Sequence, residues 1–159
     1  MAHALGHEPE GPQGSRNFAA APHGVFRAAG DDDWVSIVCL DDSQWDTFAS
    51  VLGVTGDDRF GTLADRKTNE VALEAVVAEW ASTRERWAIT EQLQALGIAA
   101  YPSLRCDELE ANPQHVARDF WERFDHPEVG QRAHSGVPWR TRNWPNGCLL
   151  YTSPSPRDS

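Results

Sequence analysis

Short apolar runs and amphipathic helical stretches alternate along this chain. Residues 25–28 and 34–40 are rich in apolar side chains, and a Gly-Asp-Asp-Asp segment at residues 30–33 separates them. This arrangement predicts a β-hairpin with a tight turn. The second run is β-branched and nearly all apolar, so we predict that it forms a central, buried strand.

Three helices are predicted to follow the hairpin. Asp41 and Asp42 are N-cap candidates for the first helix, and Gly53 stands where a C-terminal glycine belongs. The second helix is predicted over about residues 65–81, and a capping box at residues 82–85 opens the third. Helical spacing predicts three buried faces: Trp45, Phe48 and Leu52; Leu73, Val76, Val77 and Trp80; Ile89, Leu93 and Leu96.

The rest of the chain predicts a further strand, two short helices and a second hairpin. Residues 98–101 precede a proline, which favours extended backbone. A helical turn is predicted over residues 107–111, and an Asn-Pro pair at residues 112–113 starts another helix. Residues 120–124 and 131–135 are predicted to pair as strands.

Together these elements predict an α+β fold in which a small antiparallel sheet is combined with several helices. We assign it to one domain over residues 22–140. Residues 1–21 carry glycine and proline without periodicity and are interpreted as a linker segment. Residues 141–159 are interpreted as a truncated end with a non-native tail, because the Ser/Pro-rich stretch from Cys148 breaks the preceding pattern. A natural disordered tail is the alternative.

Composition and charge limit the kinds of partner that we expect this chain to bind. A chain of 159 residues with 40% hydrophobic content fits one soluble domain. Its net charge of −10 repels phosphates, so we expect no nucleic-acid partner. No apolar run approaches the ~20 residues that span a bilayer, so we expect no membrane partner. Residues 1–14 lack the basic and apolar regions of a secretory signal, so we expect a cytoplasmic location. The three cysteines form no C-x-x-C pair, so neither a disulfide framework nor a zinc site is predicted.

Candidate chemistry is sparse in the residues themselves. His3 and His7 have helical spacing, but they lack the glutamate of H-E-x-x-H and stand among glycines and a proline, so no metal site is predicted. Nucleophile-elbow and phosphate-loop motifs do not occur. Trp34, Trp45 and Trp80 are predicted to pack on core faces.

Several spaced motifs nevertheless form a recognisable series. It opens with the loop, strand and Gly-Asp turn of residues 21–34 and extends over about residues 14–140. Its other members are Arg66 and Asn69, Trp80, Leu93, Gly97, Ile98, Ala99, Ala100, Glu108, Leu109, Asn112, Pro113, Phe120, His126, Pro127, Gly130, Gly136, Val137, Pro138 and Trp139. In this order, the chain resembles a fragment of the second half of the class III (CaiB/BaiF) CoA-transferases, the formyl-CoA and carnitinyl-CoA transferase type, including the small domain.

The resemblance implies an activity for a longer parent enzyme. Such enzymes are interlocked homodimers that move CoA between an acyl-CoA and a carboxylic acid, and CoA is a substrate, with no tightly bound cofactor implied. An aspartate of the large domain forms the covalent intermediates, so no catalytic residue is expected in this chain and the fragment alone is expected to be inactive. A 2-methylacyl-CoA racemase fragment of the same fold and a non-catalytic interaction domain remain open alternatives.

The resemblance also implies a substrate loop. A mobile glycine-rich loop shields the intermediates in formyl-CoA transferase, and its counterpart here is formed by Ala19, Ala20, Ala21, Pro22, His23 and Gly24. From the residue types alone, an ordinary turn that leads into a strand is favoured. The loop is rich in alanine, and its single glycine makes Gly24 the predicted hinge.

Overall fold

A computed structural model describes residues 14–136 of the chain. The chain divides after Ser103 into two compact units. We call the described residues 14–103 the first unit and residues 104–136 the second unit. The domain assigned to residues 22–140 therefore includes two compact units, and its boundaries stay a prediction. The tail assigned to residues 141–159 lies outside the described residues.

The first unit is built on a three-stranded antiparallel sheet. Its strands are β1 (His23–Arg27), β2 (Trp34–Val38) and β3 (Ala99–Pro102), in the order β1-β2-β3. The predicted first hairpin and the central position of its second strand are therefore confirmed. Alternate side chains of β2 point in opposite directions, so Val35 is fully buried whereas Trp34 is 36% exposed. The prediction that Trp34 lies on a core face is wrong.

Helices cover the buried face of this sheet. They are α1 (Asp42–Leu52), a short 3-10 helix (Asp58–Phe60), α2 (Leu63–Thr68), α3 (Glu70–Ser82) and α4 (Arg86–Ala95). The core combines sheet and helix residues, chiefly Phe26, Val35, Ile37, Trp45, Phe48, Phe60, Leu73, Val77, Trp80, Ile89, Leu93 and Ile98. The predicted caps of α1 are confirmed, because the Asp41 side chain accepts a bond from the Gln44 amide and Gly53 has a left-handed φ of 73°.

The prediction of a single helix over residues 65–81 is wrong. Two helices, α2 and α3, meet at Asn69, whose ψ of 25° is not helical. The Asn69 side-chain amide donates to the carbonyls of Arg59 (3.1 Å) and Asp65 (3.0 Å). An asparagine that bonds to neighbouring carbonyls competes with the helical backbone, which explains the break.

The beginning and the end of α4 also differ from the prediction. Glu85 itself is the N-cap and accepts bonds from the amides of Trp87 and Ala88, both at 2.9 Å. Ser82 does not take part in the predicted capping box, because it belongs to α3 and its hydroxyl donates to the Glu79 carbonyl. Leu96, predicted to be buried, is 43% exposed, because α4 ends one residue before it.

The second unit has two short helices and a hairpin. The helices are α5 (Cys106–Ala111) and α6 (Pro113–Ala117), and the hairpin pairs β4 (Trp121–His126) with β5 (Gly130–Ser135). These elements confirm the predicted order of helical turn, proline-started helix and hairpin. Across residues 14–136, every helix is too short or too polar to cross a membrane.

Candidate functional site

The predicted substrate loop is largely packed against the first unit. Ala20, Ala21 and Pro22 are buried, whereas Ala19 is exposed. The chain is already held before the loop, because Arg16 forms a two-bond ion pair with Glu74 at 2.7 and 2.6 Å. The described part of the segment interpreted as a linker, residues 14–21, is therefore bonded to α2 and α3 of the first unit. Residues 1–13 lie outside the described residues.

The last two residues assigned to the loop belong to a strand. His23 and Gly24 begin β1, and Gly24 is paired with Ile37 of β2. The hinge predicted at Gly24 thus lies inside a paired strand. Its φ is not in the left-handed region, but an added Cβ would lie 3.1 Å from the Phe26 ring, so the glycine serves close packing.

His23 is half-buried at the start of β1. Its Nδ1 forms a hydrogen bond with the carbonyl oxygen of Ser15, so this ring nitrogen carries the proton. The contact fastens the segment before the loop to β1. It gives His23 a structural task within the described residues, and no proton-transfer role follows from this geometry.

Arg66 of α2 is the buried cation beneath the loop. Its side chain is 1% exposed. Nε donates to the carbonyl of Ala21 at 2.8 Å, Nη1 to the carbonyl of Phe60 at 3.3 Å, and Nη2 to Asp42 Oδ1 at 2.6 Å. The guanidinium also lies 5.2 Å from the Trp45 ring centroid. A planar group with several donors can satisfy such a spread of acceptors, whereas a lysine cannot.

Lys67, the next residue of α2, holds the other end of the loop. Its ammonium donates to the carbonyl of Asn17 at 2.9 Å and to Glu70 Oε1 at 2.7 Å. The Asn17 side chain accepts a bond from the Ala19 amide at 2.8 Å. The turn at Phe18 and Ala19, through which the chain enters the loop, is exposed, and Phe18 is 72% exposed.

Sequence reasoning did not assign a function to Arg66 or Lys67. Arg66 and Asn69 enter the sequence analysis only as a motif of the family resemblance. A usable signal was present: Lys67 is the sole lysine of the chain and directly follows that arginine.

A cysteine with an unreactive thiol lies next to the loop. The amide of Cys39, the residue that follows β2, donates to the carbonyl of Pro22 at 3.0 Å and so holds the loop against the end of that strand. The thiol is buried, and loss of hydration raises the pKa of Cys39 to about 12. A thiol that stays protonated at neutral pH is a poor nucleophile.

A cleft beside β1 offers little further chemistry. Its volume is about 230 Å³, and it is lined by Ser15, Gly24, Val25, Phe26, Glu74 and Ala78. Its one carboxylate, Glu74, is already paired with Arg16. Among residues 14–136, His, Cys, Asp and Glu side chains do not gather into a group able to hold a metal ion.

Comparison with known proteins places these features in a wider group. Residues 1–157 match the model of CoA-transferase family III. The chain is 35% identical over 112 residues to a probable CoA-transferase, Rv1866, of Mycobacterium tuberculosis, covering 69% of this chain and 14% of that protein. It is 24% identical over 119 residues to formyl-CoA:oxalate CoA-transferase of Streptomyces avermitilis, covering 73% of this chain and 29% of that enzyme.

Solved structures share the fold. The chain is similar to a CaiB/BaiF family protein from Brucella suis, with a TM-score of 0.73 and 26% identity over 89% of this chain and 36% of that one. It also resembles Rv3272 of Mycobacterium tuberculosis, with a TM-score of 0.65 and 18% identity over 77% of this chain and 34% of that one. The chain thus spans between about a seventh and about a third of the length of these relatives.

Proposed function

Because this chain belongs to CoA-transferase family III, we propose that it is part of an enzyme that moves CoA between an acyl-CoA and a carboxylic acid. The observation that carries the proposal is the family match over residues 1–157. The formyl-CoA:oxalate CoA-transferase among its relatives supports the same pair of substrate classes.

The nucleophile of this proposed enzyme is an aspartate outside the present chain. Its carboxylate attacks the thioester carbonyl, the C–S bond breaks, and CoA thiolate leaves an acyl-aspartyl anhydride. The thiolate then attacks the aspartyl carbonyl, which gives an aspartyl-CoA thioester and releases the donor carboxylate. The acceptor carboxylate attacks this thioester, displaces CoA thiolate and forms a second anhydride. The thiolate then attacks the acceptor carbonyl of this anhydride, which gives the new acyl-CoA and releases the aspartate carboxylate. Covalent catalysis of this kind divides one difficult exchange into easier steps.

In this proposal, the present chain supplies the wall of the active site. Residues 19–24, the predicted substrate loop, border the acyl end of the substrate and keep water from the covalent intermediates. The complete enzyme is proposed to be an interlocked homodimer in the cytoplasm that acts in acyl-CoA metabolism. CoA is its substrate and not a resident cofactor.

The test uses the enzyme encoded by the complete gene. It is incubated with an acyl-CoA and an acceptor carboxylate, and the new acyl-CoA is measured by chromatography. A second sample receives acyl-CoA and hydroxylamine, which converts the activated aspartate into a hydroxamate that mass spectrometry locates. We expect CoA transfer, with the hydroxamate in a peptide outside residues 1–159.

Two other results would contradict the proposal. Exchange of the α-hydrogen of a 2-methylacyl-CoA with deuterated solvent, without CoA transfer, would identify the racemase. A complete protein that neither transfers CoA nor exchanges that hydrogen would instead favour the non-catalytic interaction domain.

A further inference from the structure

We propose that Arg66 and Lys67 are positioning residues that fix the substrate loop as a clamped turn. We call these two side chains the loop clamp. This inference rests on the function proposed above and deepens it, because it states how the loop is held at the active site. It differs from the sequence-based expectation of a mobile lid hinged at Gly24.

The first half of the loop clamp acts on the C-terminal end of the loop. Arg66 donates from Nε to the buried carbonyl of Ala21, a residue with no exposed surface. The next carbonyl, that of Pro22, accepts from the Cys39 amide. Two successive carbonyls are therefore fixed, one by a cation of α2 and one by the chain that follows β2.

The second half acts on the N-terminal end. Lys67 donates to the carbonyl of Asn17, and Asn17 forms an isolated antiparallel bridge with Ala20. The Ala19 amide also bonds to the Asn17 side chain. Phe18 and Ala19 thus project from a turn whose two ends are held by adjacent residues of one helix.

A clamp explains why this loop can be rich in alanine. A lid that opens and closes needs residues that tolerate large changes in φ and ψ, typically glycine. A turn that is already fixed needs only small side chains that pack closely. The charge of each cation also strengthens its bonds to the carbonyls, since charge-assisted bonds are stronger than neutral ones. We therefore infer that water is excluded by a preformed turn.

The clamp is tested with two variants and two matched controls. Arg66→Lys loses the planar set of donors, and Lys67→Met loses the ammonium while keeping a long side chain. Asp42→Asn and Glu70→Gln weaken the ion pair of each cation but leave its bond to the loop carbonyl. Because Arg66 is buried and its replacement risks misfolding, Lys67→Met is the decisive variant.

The first measurement is hydrogen exchange in the present chain, followed by NMR. The amides of Ala19 and Cys39 report on the loop, since they bond to Asn17 and Pro22. We expect Lys67→Met to speed exchange at Ala19, and Arg66→Lys to speed it at Cys39, each about tenfold or more, with the controls near wild type. Unchanged exchange at Ala19 in Lys67→Met would overturn the clamp, and unchanged exchange at Cys39 in a folded Arg66→Lys would overturn the part assigned to Arg66.

The second measurement is the ratio of acyl-CoA hydrolysis to CoA transfer in the complete enzyme. We expect the ratio to rise about tenfold or more in both clamp variants, because a small displacement of a positioning group has large kinetic effects. Leu73→Ala is the control for stability, since it removes buried side-chain packing from α3 while leaving both side chains of the loop clamp in place. A ratio in the clamp variants no higher than in Leu73→Ala would overturn a positioning role.

The two proposals fail in different ways. A complete wild-type enzyme that shows no CoA transfer refutes the proposed function, while the exchange measurement still decides whether Arg66 and Lys67 hold the loop. An active wild-type enzyme with unchanged exchange and an unchanged ratio in the variants refutes the clamp alone.

Discussion

Trp80 illustrates how single side chains join the helices of the first unit. It is 8% exposed and lies edge-to-face with Phe48 of α1, with 5.5 Å between the ring centroids. The guanidinium of Arg84, which lies in the connection between α3 and α4, is 4.7 Å from the Trp80 ring centroid. The predicted core position of Trp80 is therefore confirmed, and the contact joins α1 to α3.

Replacing this side chain should leave a large cavity. We expect Trp80→Ala to lower the free energy of unfolding by about 3–5 kcal/mol. Val71→Ala, on the exposed side of α3, is the matched control and should change it by no more than about 0.5 kcal/mol. Urea denaturation of both variants measures the difference, and a loss below about 1 kcal/mol in Trp80→Ala would contradict this packing.

Cys39 makes the stability of the first unit sensitive to alkaline pH. Burial raises the pKa of the Cys39 thiol to about 12, whereas the pKa of a cysteine thiol in the unfolded state is about 8.5. Between these values the unfolded state loses its proton and the folded state keeps it, so the stability falls as the pH rises. Below this window the contribution is fully present.

We expect urea midpoints of the wild type to fall more steeply between about pH 9 and pH 11 than those of Cys39→Ala. Cys106→Ala is the control, because Cys106 is exposed and its replacement should leave the slope unchanged. Equal slopes in the wild type and Cys39→Ala would show that this thiol is not protected by burial.

At the scale of elements, α2 is a short helix that supplies both side chains of the loop clamp. It has six residues, two of which form the loop clamp. A helix of this length is not stable by propensity alone. Its first turn is held by a capping box, in which the Asp65 amide donates to Thr62 Oγ1 and Asp65 Oδ2 accepts from the Thr62 amide and hydroxyl.

These hydrogen bonds make the stability of α2 depend on pH in the acidic range. The hydrogen bonds from Thr62 hold the pKa of Asp65 below its ordinary value. The folded state therefore prefers the carboxylate, so its contribution is present above about pH 4 and is lost as the pH falls through the lowered pKa. Asp65→Asn should be less stable than the wild type at pH 7, and the gap should narrow near about pH 3.

Urea denaturation at both pH values measures this gap. Asp46→Asn, which changes an exposed carboxylate of α1, is the control and should show little difference from the wild type at either pH. A gap between Asp65→Asn and the wild type that stays constant with pH would contradict the capping role.

At the scale of the whole molecule, charge governs what the chain can bind. The net charge of −10 repels the phosphates of CoA, and the cations of the candidate site are engaged by carbonyls and carboxylates. We therefore expect the 159-residue chain alone to show no micromolar CoA binding in calorimetry and no CoA transfer. Acetyl-CoA and desphospho-CoA serve as comparison ligands, and micromolar binding of CoA would overturn this expectation.

Local signals in the sequence determined most of the fold. Asp41 and Gly53 mark the beginning and the end of α1, and the Asn-Pro pair starts α6. These signals are readable in the sequence because caps and prolines act through backbone groups within a few residues. The first hairpin and its central strand follow from two apolar runs separated by a turn, and the second hairpin follows from the turn at residues 127–130. The ordered series of motifs was sufficient to indicate the family, which the family match confirms.

Tertiary structure decided how the loop is held. Arg66 and Lys67 bond to carbonyls that lie 45 and 50 residues earlier in the chain. A backbone carbonyl is the same in every residue, so no sequence pattern marks which one a distant cation will reach. The same reason explains why the break at Asn69 was missed, since part of its side-chain bonding goes to Arg59, ten residues away. The sequence therefore specified which residues are present at the loop, and only packing determined that two neighbouring cations fix its ends.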